Sequence, residues 1–351
     1  MGTDNSPKRN IKELTLDELK DVLVSLGQPA FRARQVLTWV YKKTAVDFDQ
    51  MSDLPLALRE ILKEKFYLFD LKVQKVQESR DATKKILFSL KDSDYIEAVI
   101  IPAESRVTGC VSTQVGCKYS CRFCASGVSG FKRDLGFAEI LDEVVYLKNN
   151  SFEGKLTHLV FMGMGEPLDN YDNVLKAIRI INAEYGFNIG ARRITVSTCG
   201  IVPAINRLSG EGLQIELSVS LHAADDKTRS ALMPVNKKYP LSELVTACRE
   251  YVDKTNRQVT FEYVLIKNMN SDLPSAQKLV TMLKGMNCKI NLIPCNYIKE
   301  LGIEPPNKLE ILFFKDSLTK AGLNVTLRKP RGQDIESACG QLRLRHVKNQ
   351  S

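Results

Sequence analysis

The stretch LTHLVFMGMGEPLDNYDNVLKAIRIINAEYGFNIGARRITVS, residues 156–197, contains a strand, a loop, a helix and a second strand in that order. Leu156–Met162 is a short apolar run and Gly163-Met164-Gly165-Glu166-Pro167 interrupts it. Asp172–Tyr185 then reads as a helix, and Arg193–Ser197 begins the next strand. The same unit recurs from about residue 107 onward. Further strand candidates are Gln214–Leu221, Val259–Leu265, Lys289–Pro294 and Asn324–Arg328. Helical stretches at Phe137–Lys148, Leu241–Lys254, Pro274–Met286 and Leu309–Ala321 lie between them. Such alternation predicts an α/β fold with a parallel sheet and right-handed crossovers, open or curled into a barrel. Function in that architecture gathers at the carboxyl ends of the strands. Gly163–Pro167, Ser197-Thr198-Cys199-Gly200, Ser220-Leu221-His222 and Asn296 all fall on that rim.

Upstream the pattern changes. Thr15-Leu16-Asp17-Glu18 is a capping box followed by Leu19, Val22, Leu23 and Leu26 at helical spacing. Gly27 and Pro29 end that helix. Helices over Phe31–Lys43 and Leu54–Phe66 complete a small helical domain. Ile86, Phe88 and Leu90 alternate with other residues, Lys91–Asp94 reads as a turn, and Tyr95–Ile101 reads as a second strand, so a hairpin follows. The organisation expected is a helical accessory domain at 1–70 and a β-rich linker at 71–106. A partial barrel at 107–330 and a C-terminal segment at 331–351 complete it.

A chain of 351 residues with 44% apolar and 26% charged residues has the composition of an ordinary globular protein, which excludes wholesale disorder. No apolar run reaches membrane-spanning length. The first residues lack a signal-peptide core, so a cytoplasmic location is expected. The net charge of +9 favours an anionic partner. Residues 1–70 are balanced at 11 basic and 11 acidic side chains, so the excess lies downstream. Lys118, Arg122, Lys132 and Arg133 form one acid-free cluster. Arg328, Lys329, Arg331, Arg343, Arg345 and Lys348 form another against Asp334 and Glu336. Both adjoin candidate chemistry, as a nucleic-acid path into a site would.

Nine cysteines cannot form a complete disulfide framework. Cys117, Cys121 and Cys124 stand in a C-x3-C-x2-C triplet with an aromatic, Phe123, before the last. A 4Fe-4S cluster has four irons, each needing an outside ligand. Three thiolates therefore leave one iron open for the amino and carboxylate groups of S-adenosylmethionine. A zinc site with Cys110 as fourth ligand is the other reading of these spacings.

The blocks CVSTQVGCKYSCRFC (110–124), FMGMGEPL (161–168), SLHA (220–223), PVNKKY (234–239), NLIP (291–294) and ACGQL (338–342) occur in order. Together they resemble the dual-specificity adenine-C2 RNA methyltransferases, the RlmN family of the radical SAM superfamily. The resemblance implies a partial parallel (β/α)6-type barrel with Cys117, Cys121 and Cys124 holding the cluster. It assigns Cys339 as the cysteine methylated by a first S-adenosylmethionine. A 5′-deoxyadenosyl radical from a second molecule would activate that methyl group for addition to adenine carbon 2. Cys110 corresponds to the cysteine that resolves the resulting adduct through a transient disulfide with Cys339, and Glu97 to the proton acceptor. Gly165 and Glu166 match the stretch that receives the amino group of S-adenosylmethionine. Ser197, Ser220, Leu221, His222 and Asn296 match its other contacts.

The substrates implied are an adenine in 23S rRNA and the adenine 3′ to the anticodon in tRNAs, extruded for reaction. The electron would come from an external reductant such as flavodoxin or ferredoxin. Arg32, Arg34, Lys42 and Lys43 are expected to bring the N-terminal domain to RNA. Cys199, Cys295 and Tyr297 depart from the family's frequent Ser, Trp and Pro. Two alternatives remain at this level. One is the adenine-C8 methylating relative that confers ribosomal antibiotic resistance, against which Pro167 and Pro294 weigh. The other is a zinc-bound, non-catalytic RNA-binding protein.

Overall fold

Thr15 starts the first helix as its sequence requires: its hydroxyl accepts from Glu18 N–H at 3.3 Å, and the Glu18 carboxylate accepts from Thr15 N–H at 2.7 Å. In the computed structural model, which describes residues 7–128, 130–295, 303–328 and 331–335, this helix is α1, Leu16–Ser25. With β1 (Arg9–Asn10), α2 (Arg32–Tyr41), α3 (Leu56–Lys65) and β2 (Phe66–Tyr67) it forms the N-terminal part. Its core is Leu19, Leu23, Val36, Leu37, Leu58 and Leu62, each fully buried.

Four consecutive antiparallel strands follow: β3 (Lys72–Glu78), β4 (Lys84–Ser89), β5 (Tyr95–Ala103) and β6 (Arg106–Cys110). A short ribbon of β7 (Gln114–Gly116) and β8 (Phe131–Asp134) encloses α4 (Ala125–Val128). The alternating region then runs α5 (Phe137–Asn150), β9 (His158–Phe161), α6 (Tyr171–Asn182), β10 (Ile194–Thr198), α7 (Val202–Leu208) and β11 (Glu216–Ser220). It continues with α8 (Asp226–Leu232), α9 (Leu241–Thr255), β12 (Val259–Leu265), α10 (Leu273–Leu283), β13 (Cys288–Pro294), α11 (Lys308–Lys320) and β14 (Asn324–Leu327).

One ten-stranded sheet orders these as β14-β13-β12-β11-β10-β9-β6-β5-β4-β3. The strands β6, β9, β10, β11, β12, β13 and β14 pair in parallel. The array therefore has one parallel strand more than the six expected, because β6 opens it. Among the described residues β14 and β3 do not pair with each other, so the sheet stays open. Its two faces differ. Val196, Leu217, Val219, Phe261, Tyr263, Ile290 and Leu292 are fully buried, whereas Thr195, Ser197, Ser220, Val264, Asn291 and Ile293 between them are half-buried. That period-2 alternation leaves the polar face available to a ligand.

Two long-range ties fix the ends. Lys12, 1% exposed, places Nζ 2.8 Å from the fully buried Asp142 carboxylate on α5. At the other end Gly332 N–H donates to Asp81 at 3.1 Å, and Asp334 accepts from the Ser79 hydroxyl at 2.5 Å and from Arg80 N–H at 3.3 Å. The chain after β14, at one edge of the sheet, is thus fastened to the β3–β4 turn at the other.

Candidate functional site

The cysteine triplet sits on the loop between β7 and β8. Cys117 N–H donates to Gly130 C=O at 3.0 Å, closing the loop. Gly116 makes the closure possible: its φ is +77°, and a Cβ there would lie 1.7 Å from Gly130 O. A second loop, Gly163–Pro167 after β9, is zipped to the chain after β6. Gly163 N–H donates to Val111 C=O at 3.0 Å and Thr113 N–H to Met164 C=O at 2.8 Å. Gln114 locks the pair together. Its side-chain oxygen accepts from Glu166 N–H at 2.8 Å, while its amide donates to Asp134 and Asp169, each at 2.8 Å. Asp169 also accepts from Tyr119 O–H at 3.2 Å and pairs with Lys118 at 2.7 Å, tying in the cysteine loop.

These loops and the strand ends line one open cavity. Cys117, Cys121, Cys124, Gly165, Glu166, Ser197, Ser220 and His222 all line it. Leu221, in contrast, sends its side chain into the core. Burial pushes the Cys117 thiol up to about 12 and Cys121 further up, with neighbouring anionic groups adding to it, so a bound cationic centre is what would keep them as thiolates. Among the described residues no three His, Cys, Asp or Glu side chains converge on a single ion.

Glu166 is 4% exposed. Burial raises its pKa, against which Cys199 N–H at 2.7 Å and Leu168 N–H at 3.0 Å support the charged form. Among the described residues no cation pairs with it, so its best partner is a ligand ammonium. His222, which lines the same cavity, has a left-handed φ of +55°. Its ring meets Phe123 of the cysteine loop edge-on at 4.7 Å. Nδ1 accepts from Val264 N–H at 3.0 Å, which puts the ring proton on Nε2. Burial, and then the charge of Arg229, lower its pKa to about 3, so it is neutral at physiological pH.

Glu97 and Cys110 are not in the cavity lining but beside it. Glu97 alone would read as a surface strand residue; it is instead 4% exposed, with its carboxylate 3.4 Å from Lys85 Nζ. Cys110 pairs in register with Val99, and the two pack with Met164 in a small apolar cluster behind the Gly163–Pro167 loop. Asn296, Tyr297 and Cys339 lie outside the described residues, as do Lys329 and the basic residues at 343, 345 and 348.

Two of the structure's findings were not visible in sequence. Glu262 lines the cavity although it belongs to no recognisable motif, beside Arg328 of the basic cluster read in the sequence. The basic cluster after Cys117 is largely spent internally: Lys118 pairs with Asp169, Lys132 with Asp94, and Arg133 with Asp92 and Glu139. It offers less charge to a partner than the sequence suggests.

Residues 111–277 match the radical SAM superfamily, and residues 9–68 match the ribosomal RNA large subunit methyltransferase N-terminal domain. A probable dual-specificity RNA methyltransferase RlmN from Thermoanaerobacter sp. (strain X514) is 48% identical over 340 residues, covering 97% of this chain and 99% of that protein. Its namesake from Geobacillus thermodenitrificans is 45% identical over 347 residues, covering 98% and 95%. The crystal structure of a radical SAM methyltransferase from Sphaerobacter thermophilus superimposes with a TM-score of 0.91 at 44% identity, covering 96% of this chain and 99% of that one.

Proposed function

Because the chain belongs to the RlmN family of the radical SAM superfamily, we propose that it methylates carbon 2 of a specific adenine in 23S rRNA and of the adenine 3′ to the anticodon in tRNAs. The observation that carries this reading is one cavity lined jointly by Cys117, Cys121, Cys124, Gly165, Glu166, Ser197, Ser220 and His222. Adenine carbon 2 is electron-poor and has no acidic proton, so polar methyl transfer has no nucleophile to use. Cys117, Cys121 and Cys124 would hold a 4Fe-4S cluster. When bound, that cluster with S-adenosylmethionine supplies a one-electron route to a 5′-deoxyadenosyl radical.

The chain's own residues do the rest. Gly165 lets backbone approach the ligand, and Glu166 takes its ammonium. The neutral His222 offers Nε2–H as a donor without adding charge. Ser197, Ser220, the Leu221 backbone and Asn296 orient the remainder of the cofactor. Cys339 carries the methyl group, which makes the demand two S-adenosylmethionine molecules per turnover: one as methyl donor and one as radical source. Glu97 accepts the proton that leaves adenine carbon 2, and Cys110 releases the product by pairing with Cys339. Residues 1–70 bind RNA beside the barrel of 107–330, while 71–106 carries Glu97 and 331–351 carries Cys339. The reductant is an external one-electron donor of the flavodoxin or ferredoxin class, and the setting is cytoplasmic. No helix among the described residues is long and apolar enough to cross a membrane.

The test is nucleoside mass spectrometry of a 23S rRNA fragment and of tRNA after anaerobic incubation with the cluster-loaded protein, S-adenosylmethionine and a reductant. 2-Methyladenosine is the expected product. 8-Methyladenosine, or no methylated adenosine from a fully loaded protein, would overturn the assignment.

A further inference from the structure

Arg229, on α8, is fully buried and ranks among the largest fully buried side chains. Nε donates to Leu221 C=O at 3.1 Å and Nη1 to the Asn236 side chain at 2.9 Å. Nη2 donates to Cys199 C=O at 2.7 Å and Ser220 C=O at 3.0 Å. The guanidinium therefore clasps the ends of β10 and β11, the strands that deliver Ser197 and Ser220–His222 to the cavity. Cys199, whose carbonyl it grips, donates its own N–H to Glu166 at 2.7 Å. Gly200 keeps the approach open, since a Cβ there would lie 3.1 Å from Nη2. The same helix receives the cysteine loop: Arg122 N–H donates to Leu232 C=O at 3.0 Å.

The charge balance of this arrangement is unusual. Among the described residues no carboxylate pairs directly with Arg229, and Asp226 is reached through Asn236, whose amide donates to it at 2.9 Å. Arginine stays protonated even when burial lowers its pKa, as it does here. A buried cation with only neutral acceptors is costly unless an anion lies close by. Asp226 through Asn236 and Glu166 through Cys199 are the carboxylates tied to it, and Cys117, Cys121 and Cys124, which line the cavity with Glu166, become anionic only when a cluster binds.

We propose that Arg229 is a positioning residue and the buried counter-charge of the loaded centre: its fork sets the rim peptides that hold S-adenosylmethionine, and its charge raises the reduction potential of the cluster. The inference rests on reading Cys117, Cys121 and Cys124 as the cluster ligands. Adding one electron to the centre adds one negative charge within the field of the guanidinium, so the reduced form gains more than the oxidised form.

Wild type, Arg229→Gln and Arg229→Lys are loaded anaerobically and compared for iron and sulfide content, circular dichroism, midpoint potential and S-adenosylmethionine affinity. In Arg229→Gln, poised at the wild-type midpoint, the oxidised-to-reduced ratio is expected to rise about tenfold, a shift of about 59 mV for one electron. Its S-adenosylmethionine affinity is expected to fall about tenfold. Arg229→Lys restores most of the potential but not the affinity, because it keeps charge and loses the fork. Asn236→Ala, which leaves the arginine in place and removes one acceptor, is expected to weaken affinity severalfold even if the Arg229 variants do not load. A loaded Arg229→Gln protein with wild-type potential and affinity, or an Asn236→Ala protein with unchanged affinity, overturns the inference. A wild-type protein that takes up no iron overturns instead the reading of the cysteine loop.

Discussion

Gly165→Ala makes one close approach in the site measurable. Gly165 has φ +98°, and a Cβ there would lie 2.6 Å from Gln114 Cβ and 2.8 Å from Gln114 N. Gln114 has little freedom to yield, because its side chain bonds Glu166 N–H, Asp134 and Asp169. Positive φ costs an L-residue about 1–2 kcal/mol, and overpacking about 1–3 kcal/mol more, so a loss of about 2–5 kcal/mol is expected. The control is Gly212→Ala, at φ +67° with nothing within 4 Å of the added carbon. It carries the backbone term alone and should lose only about 1–2 kcal/mol. Denaturant unfolding of the two variants separates strain from contact. If the strain in Gly165→Ala is relieved by a shift of the loop, Glu166 moves with it, so calorimetric titration of the loaded variant should show S-adenosylmethionine binding weakened at least about tenfold, or about 1.4 kcal/mol. A Gly165→Ala protein that unfolds like Gly212→Ala and binds within twofold of wild type would refute the reasoning.

Lys12→Met should cost about 3–5 kcal/mol in urea unfolding, because it strands the buried Asp142 carboxylate that Lys12 approaches to 2.8 Å. The double variant with Asp142→Leu should recover most of that loss. His222 should make the metal-free protein acid-sensitive: its folded pKa is about 3 against about 6.5 unfolded, so between those values the unfolded state binds one proton more. Stability should therefore fall by roughly 1.4 kcal/mol per unit as pH drops from about 6.5, and His222→Gln should remove that component of the slope in pH-dependent unfolding. Cys110→Ala should leave the adduct at Cys339 unresolved, giving a covalent protein–RNA species on a denaturing gel. Ready turnover by that variant would remove Cys110 from the mechanism.

How much of this was readable in sequence depended on the length and regularity of each element. The helices over 137–148 and 241–254 and the strand at 259–265 were legible because their apolar residues repeat over several turns or a full strand. β6 was not, since Arg106–Cys110 contains glycine and is only five residues long. Its recognition as the first parallel strand depends on pairing with β9, a contact made 50 residues away in the chain. Helices α7 and α8, seven residues each, are similarly short. The cysteine loop and the rim motifs could be named because their chemistry is local. Gln114 and Arg229 could not, because their work is done through partners on other elements: Glu166 and Asp169 for one, Cys199 and Ser220 for the other. Glu97 shows the opposite limit. Its burial against Lys85 comes from cross-strand register, which a period-2 pattern alone does not reveal.

The central claim is that Cys117, Cys121 and Cys124 hold a four-iron cluster, and metal analysis tests it most directly. The protein is purified anaerobically and assayed for iron, acid-labile sulfide and zinc with an optical spectrum, alongside Cys121→Ala. About four irons and four sulfides per chain are expected, with a broad brown absorbance that the variant loses. Stoichiometric zinc without iron or sulfide, persisting after anaerobic reconstitution, would contradict the account.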